Sequence, residues 1–106
     1  MALLDVAPAD ELLPGSMKLV AAGAGLTLGV YNCSGTLYAI EDRCSHDDGP
    51  LCEGDWDENT CTVVCPRHGS AFELATGNPR SLPAYLPVQT YPIQIVDGMI
   101  RVDVGD

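Results

Sequence analysis

Short runs in which apolar and β-branched residues alternate with polar ones, each cut off by turn formers, recur along this 106-residue chain. A period of two puts alternate side chains on opposite faces of a strand, so the pattern predicts an all-β fold. A first strand is expected at Met17–Val20, after Pro14-Gly15-Ser16. Leu26–Tyr31 and Thr36–Ile40 flank Asn32-Cys33-Ser34-Gly35, which reads as a hairpin with turn residues at its tip. Thr60–Val64 is a β-branched run, and Ala71–Leu74 leads into the turn Ala75–Pro79. Near the end, Val88–Val96 and Met99–Val104 are divided by Asp97-Gly98, a strong hairpin signal. Helical periodicity is weak; only Pro8–Leu13 reads as a single turn of helix.

The length suits one domain able to bury roughly two-thirds of its unfolded surface. No apolar run approaches the ~18 residues of a membrane span. The opening Met-Ala-Leu-Leu-Asp-Val has no basic region, so no secretory signal is expected, and the expected location is cytoplasmic. A net charge of −10 disfavours nucleic acid and anionic membranes as partners, and favours a partner with a basic docking face. Eight of the 15 acids lie between Glu41 and Glu58, where Arg43 is the only base; they form either a solvated loop or a docking patch. Five cysteines, an odd number, argue against a complete disulfide framework and for free thiols or metal ligands.

Both histidines of the chain fall in short pairs with cysteine: Cys44-Ser45-His46 and Cys65-Pro66-Arg67-His68. Each pair lies in an expected loop, 44–59 or 65–70, and offers one thiolate and one imidazole. Two thiolates and two imidazoles from two loops suit a 2Fe–2S cluster with thiolates on one iron and imidazoles on the other. A structural zinc site could use the same four residues, or Cys44, Cys61, Cys65 and His68. The single residue between Cys44 and His46 is tight for zinc, whose paired ligands are usually two to four residues apart.

The two pairs resemble the C-x-H and C-x-x-H boxes of the Rieske family. The likeness extends over residues 15–104, including Phe72, Gly77 and the Asp97-Gly98 hairpin. It implies an antiparallel β sandwich spanning 1–106, with a small cluster-binding subdomain at about 42–82. By resemblance, Cys44 and Cys65 ligate the inner iron, and His46 and His68 the outer one. The disulfide-forming cysteines of high-potential members are replaced here by Gly49 and Arg67, and their tyrosine by Phe72, leaving Ser70 as a hydrogen-bond donor. With Asp47 and Asp48 adjacent, these departures predict a potential at the low end of the Rieske range. The pattern resembles the ferredoxins that feed ring-hydroxylating oxygenases. It implies a monomeric one-electron carrier, not an enzyme, between a flavoprotein reductase and a terminal Rieske oxygenase. Such small proteins also serve nitrite reductases or iron–sulfur assembly, which the residues do not distinguish.

Further residues carry weaker expectations. Cys33 reads as a surface thiol in a hairpin turn and Cys61 as a small core residue, with a Cys52–Cys61 bond as a minor alternative. Arg67 is expected to pair with Asp47 or Asp48. Trp56 is expected to pack onto its own loop rather than anchor a partner. Ser81–Pro87, with prolines at 83 and 87, reads as a stiff connection rather than a wall over the site.

Overall fold

In the computed structural model, which describes residues 3–23, 25–44, 49–67, 69–82, 84 and 86–105, nearly all regular structure is β. The strands are β1 (Leu3–Pro8), β2 (Met17–Ala21), β3 (Thr27–Cys33), β4 (Thr36–Glu41), β5 (Trp56–Asp57), β6 (Thr62–Val64), β7 (Ala71–Glu73), β8 (Thr90–Tyr91), β9 (Ile93–Val96) and β10 (Met99–Asp103). All pair antiparallel, in three sheets ordered β1-β10-β9, β2-β3-β4-β8 and β5-β6-β7.

The four-stranded sheet is the middle layer. Leu28, Val30 and Ala39 join Val6, Leu12, Ile100 and Val102 in a core shared with the β1-β10-β9 sheet. The intervening residues Tyr31, Cys33 and Ile40 face a second core with Val63, Phe72 and Leu74 of the β5-β6-β7 region. Burial on both faces is why β3 carries an apolar run as well as an alternation. Each fully buried Leu, Ile or Val contributes about 1.5–3 kcal/mol, so neither face is dispensable.

The Asp97-Gly98 hairpin is present, with both residues at positive φ as a type I′ turn requires. The β3–β4 turn is tighter than expected. Ser34 and Gly35 alone form it, and Cys33 is a strand residue paired with Thr36. Residues 9–11 form one 3₁₀ turn, close to the expected helical turn. Strand β1 was not expected: its alternation is brief and ends at Pro8. It is held through β10, where Arg101 Nε lies 2.9 Å from Asp5 Oδ1 across a paired register position. Pro92 splits the expected Val88–Val96 strand, so β8 pairs with β4 while β9 pairs with β10.

Candidate metal centre

Two loops of equal size present the box cysteines. Cys44 N–H donates to the Gly49 carbonyl at 2.8 Å, and Cys65 N–H donates to the Ser70 carbonyl at the same distance. Each loop thus closes over six residues and begins with its cysteine. The second is tightened further by the Gly69 N–H, which donates to the Cys65 carbonyl at 2.9 Å. Cys44 follows β4 after two residues, and Cys65 immediately follows β6, so each loop is launched from a paired strand.

Cys44 and Cys65 take no part in a disulfide, are 0% and 1% exposed, and belong to the same buried cluster. Two buried sulfurs at the starts of matched loops are soft donors of the kind a thiolate-held metal group needs. His46 and His68, with Ser45, Asp47 and Asp48, lie outside the described residues. The expected pairing of Arg67 with Asp47 or Asp48 therefore lies outside them too.

Behind the first loop, residues 51–53 form a 3₁₀ turn whose Leu51 and Cys52 are buried. Asp42 Oδ1 accepts the Cys52 N–H at 2.7 Å and ties this turn to the end of β4. Burial, reinforced by the Asp42 carboxylate, pushes the Cys52 thiol up to about 12, so it stays protonated at neutral pH. The Tyr31 hydroxyl is also raised, first by burial and then by Cys52. Trp56 packs edge-on against the Tyr31 ring with centroids 5.0 Å apart, so it serves its own core as expected.

The segment after β7 is tied to the second loop. Ser81 Oγ accepts the Ala71 N–H at 2.9 Å, and buried Ala84 donates its N–H to Ser70 Oγ at 3.1 Å. Ser81, Leu82, Leu86 and Pro87 are exposed and only Ala84 is buried among its described residues, so it is a connection tied at two points to the second loop; Pro83 and Tyr85 lie outside the described residues. Beside the loop, Glu53, Gly54, Asp55, Val64, Cys65 and Pro66 line a cleft of about 420 Å³ with exposed acids at its rim. Three other acids of the 41–58 run are structural. Asp42, Glu41 and Glu58 accept the backbone N–H groups of Cys52, Gln89 and Ser34.

The remaining cysteines correct the sequence reading. Cys33 and Cys61 form a disulfide. Cys33 is therefore not a surface thiol and Cys61 not a free core residue, and no Cys52–Cys61 bond forms. A zinc site drawing on Cys61 is excluded, since that sulfur is already bonded. The pairing was hidden because Cys33 extends β3 instead of capping its turn, and Cys61 takes a positive φ of 52° at the entry to β6. No local signal marks either.

Residues 2–92 match the model of the Rieske [2Fe-2S] domain. The chain is 37% identical over 106 residues to the 3-phenylpropionate/cinnamic acid dioxygenase ferredoxin subunit of Photorhabdus laumondii, covering 100% of this chain and 98% of that protein. Its structure is similar to the ferredoxin of carbazole 1,9a-dioxygenase from Nocardioides aromaticivorans IC177, with TM-score 0.86, 30% identity, and coverage of 96% and 97%. It is equally similar, at TM-score 0.86 and 33% identity, to a chain in a complex of reduced oxygenase and oxidized ferredoxin of carbazole 1,9a-dioxygenase. That match covers 94% of this chain and 100% of the other.

Proposed function

This chain belongs to the Rieske [2Fe-2S] domain family, and we propose that it is the ferredoxin of a ring-hydroxylating dioxygenase system, carrying one electron at a time. The observation that carries the reading is the pair of six-residue loops, each starting with a buried cysteine that takes no part in a disulfide. In this reading Cys44 and Cys65 hold one iron of the cluster and His46 and His68 the other. The bound cluster supplies reversible one-electron chemistry. Cys44 and Cys65, both buried, supply the thiolates. Ser70 and Ala84 brace the second loop, while Asp42 and Cys52 brace the first.

The relatives' names support an acceptor of the terminal-oxygenase class, as in the complex of oxygenase and ferredoxin. We assign a flavoprotein reductase as donor, a cytoplasmic location and a monomeric state. Among the described residues no helix is long and apolar enough to cross a membrane. The 1–106 span forms one domain in this reading, with residues 42–82 as its cluster-bearing part. The acids at 53, 55 and 57 are exposed and suit a basic docking face.

Visible and low-temperature EPR spectra, recorded as purified and after dithionite, test the assignment. A red-brown protein that becomes paramagnetic on reduction, and loses both properties in Cys65→Ser, supports it. A colourless protein with full zinc occupancy overturns it.

A further inference from the structure

We propose that the Cys33–Cys61 disulfide is a redox-labile clasp, opened by a dithiol reductant, that sets how firmly the two ligand loops are held. The bond joins the end of β3 in the middle sheet to the turn entering β6. Its Cα atoms are 5.9 Å apart, and the residues are 28 apart in sequence. The covalent ring so closed contains the whole first ligand loop, residues 44–49, and Cys65 comes four residues after Cys61. The first loop therefore lies inside the ring, and the second begins just beyond it. Weaker ties run beside it: Ser34 N–H donates to Glu58 Oε2 at 3.1 Å, and Leu74 N–H to the Cys61 carbonyl at 2.9 Å. Cleavage leaves those hydrogen bonds in place and removes only the covalent limit on how far the two sheets can part.

Two features suit the bond to reversible opening. The first is asymmetry: Cys33 is 2% exposed while Cys61 is partly exposed, so the proposed attack comes at Cys61 rather than at Cys33. Attack there breaks the Cys33–Cys61 bond and expels the Cys33 thiolate, which takes up a proton. The second thiol of the reductant then attacks the mixed disulfide and releases Cys61, which is protonated in turn. Two electrons and two protons pass to the clasp, and the dithiol leaves as its own disulfide. The second feature is the Glu58 carbonyl oxygen, 3.0 Å from Cys33 Sγ and 3.8 Å from Cys61 Sγ. It accepts from the released thiols and keeps both sulfurs near each other for reoxidation. Cys44, Cys52 and Cys65 stay as thiols in the same fold, so the chain combines one disulfide with ligand-type thiols. Disulfides in reducing compartments are mostly of the transient or sensing kind. The effect on cluster retention rests on the ligand assignment proposed above; the thiol chemistry does not.

The test uses the cluster-loaded full chain. Protein from aerobically grown cells, trapped with an alkylating agent at lysis, is weighed and mapped. Millimolar dithiothreitol is then added under native conditions, and cluster loss to a chelator is followed by visible absorbance. The expected result is a bonded Cys33–Cys61 pair before treatment and a mass gain of two hydrogens after it. Only those two residues become newly alkylated, and chelator-driven cluster loss accelerates about tenfold as the ring opens. Oxidised glutathione or diamide should restore the slow rate. Cys33→Ser with Cys61→Ser should show the fast rate without dithiothreitol; if that variant does not fold, the reduced wild type supplies the same comparison. Alkylation of Cys33 and Cys61 at lysis, resistance of the bond to native dithiothreitol, or an unchanged rate of cluster loss after cleavage would each overturn the proposal. A colourless protein whose bond still opens as described would instead refute the cluster assignment and leave the thiol chemistry standing.

Discussion

Gly54 Cα lies against the Val64 carbonyl so closely that a β-carbon there would overlap the carbonyl oxygen. Nearby, Val64 N–H donates to the Asp55 carbonyl at 2.8 Å, so β6 is clamped where it delivers Cys65. Gly54→Ala must push the strand and the 3₁₀ turn apart. We expect a loss of about 3 kcal/mol, at the upper end for an overpacked site. Thermal unfolding and cluster content should fall together; a variant with wild-type melting and colour would refute the clamp.

Ser70 is fully buried and its Oγ accepts the Ala84 N–H. Ser70→Ala leaves a buried backbone donor unpaired, at a cost of about 1–3 kcal/mol. Hydrogen exchange at Ala84 should quicken more than exchange in the β1-β10-β9 sheet. Uniform acceleration would mean that the tie between Ala84 and the second loop does not depend on this bond.

The folded Cys52 thiol holds its proton to about 12, against an ordinary value of 9.0. Stability from this group is complete below pH 9. Above it the unfolded chain ionises first, and stability falls with rising pH until the folded thiol titrates. The slope from this one group is up to about 1.4 kcal/mol per pH unit. Cys52→Ala should lose stability at neutral pH but show a shallower decline in urea midpoints between pH 9 and 11. Parallel wild-type and variant curves would contradict the assignment.

Opening the ring closed by Cys33 and Cys61 should cost about 3–4 kcal/mol of global stability by loop-closure entropy over 28 residues. Urea unfolding of oxidised and reduced wild-type protein measures it directly. Equal midpoints would mean that the reduced, unfolded chain is already compact at these positions.

The reduction potential is expected at roughly −150 to −100 mV, the low end for mixed Cys/His ligation. Phe72, buried and without a hydroxyl, cannot donate toward the site, and Ser70 remains as one possible donor. Redox titration checks this, and a clearly positive midpoint would contradict it.

The sequence by itself determined the all-β class, most hairpins and the two cysteine–histidine pairs, because strand alternation, Asp97-Gly98 and ligand spacing are local signals. It also made Trp56 a core residue rather than an anchor. Only tertiary structure decided that β1 completes a sheet through Asp5 and Arg101, since that pairing joins the two ends of the chain. It likewise decided that Cys33 meets Cys61. Their contact depends on how the middle sheet packs against the β5-β6-β7 region, and 28 residues of separation leave no periodic trace of it. The same packing made structural supports of Glu41, Asp42 and Glu58, which composition alone presents only as charge. Local spacing names the groups that do chemistry; long-range packing chooses which remaining side chains hold them in place.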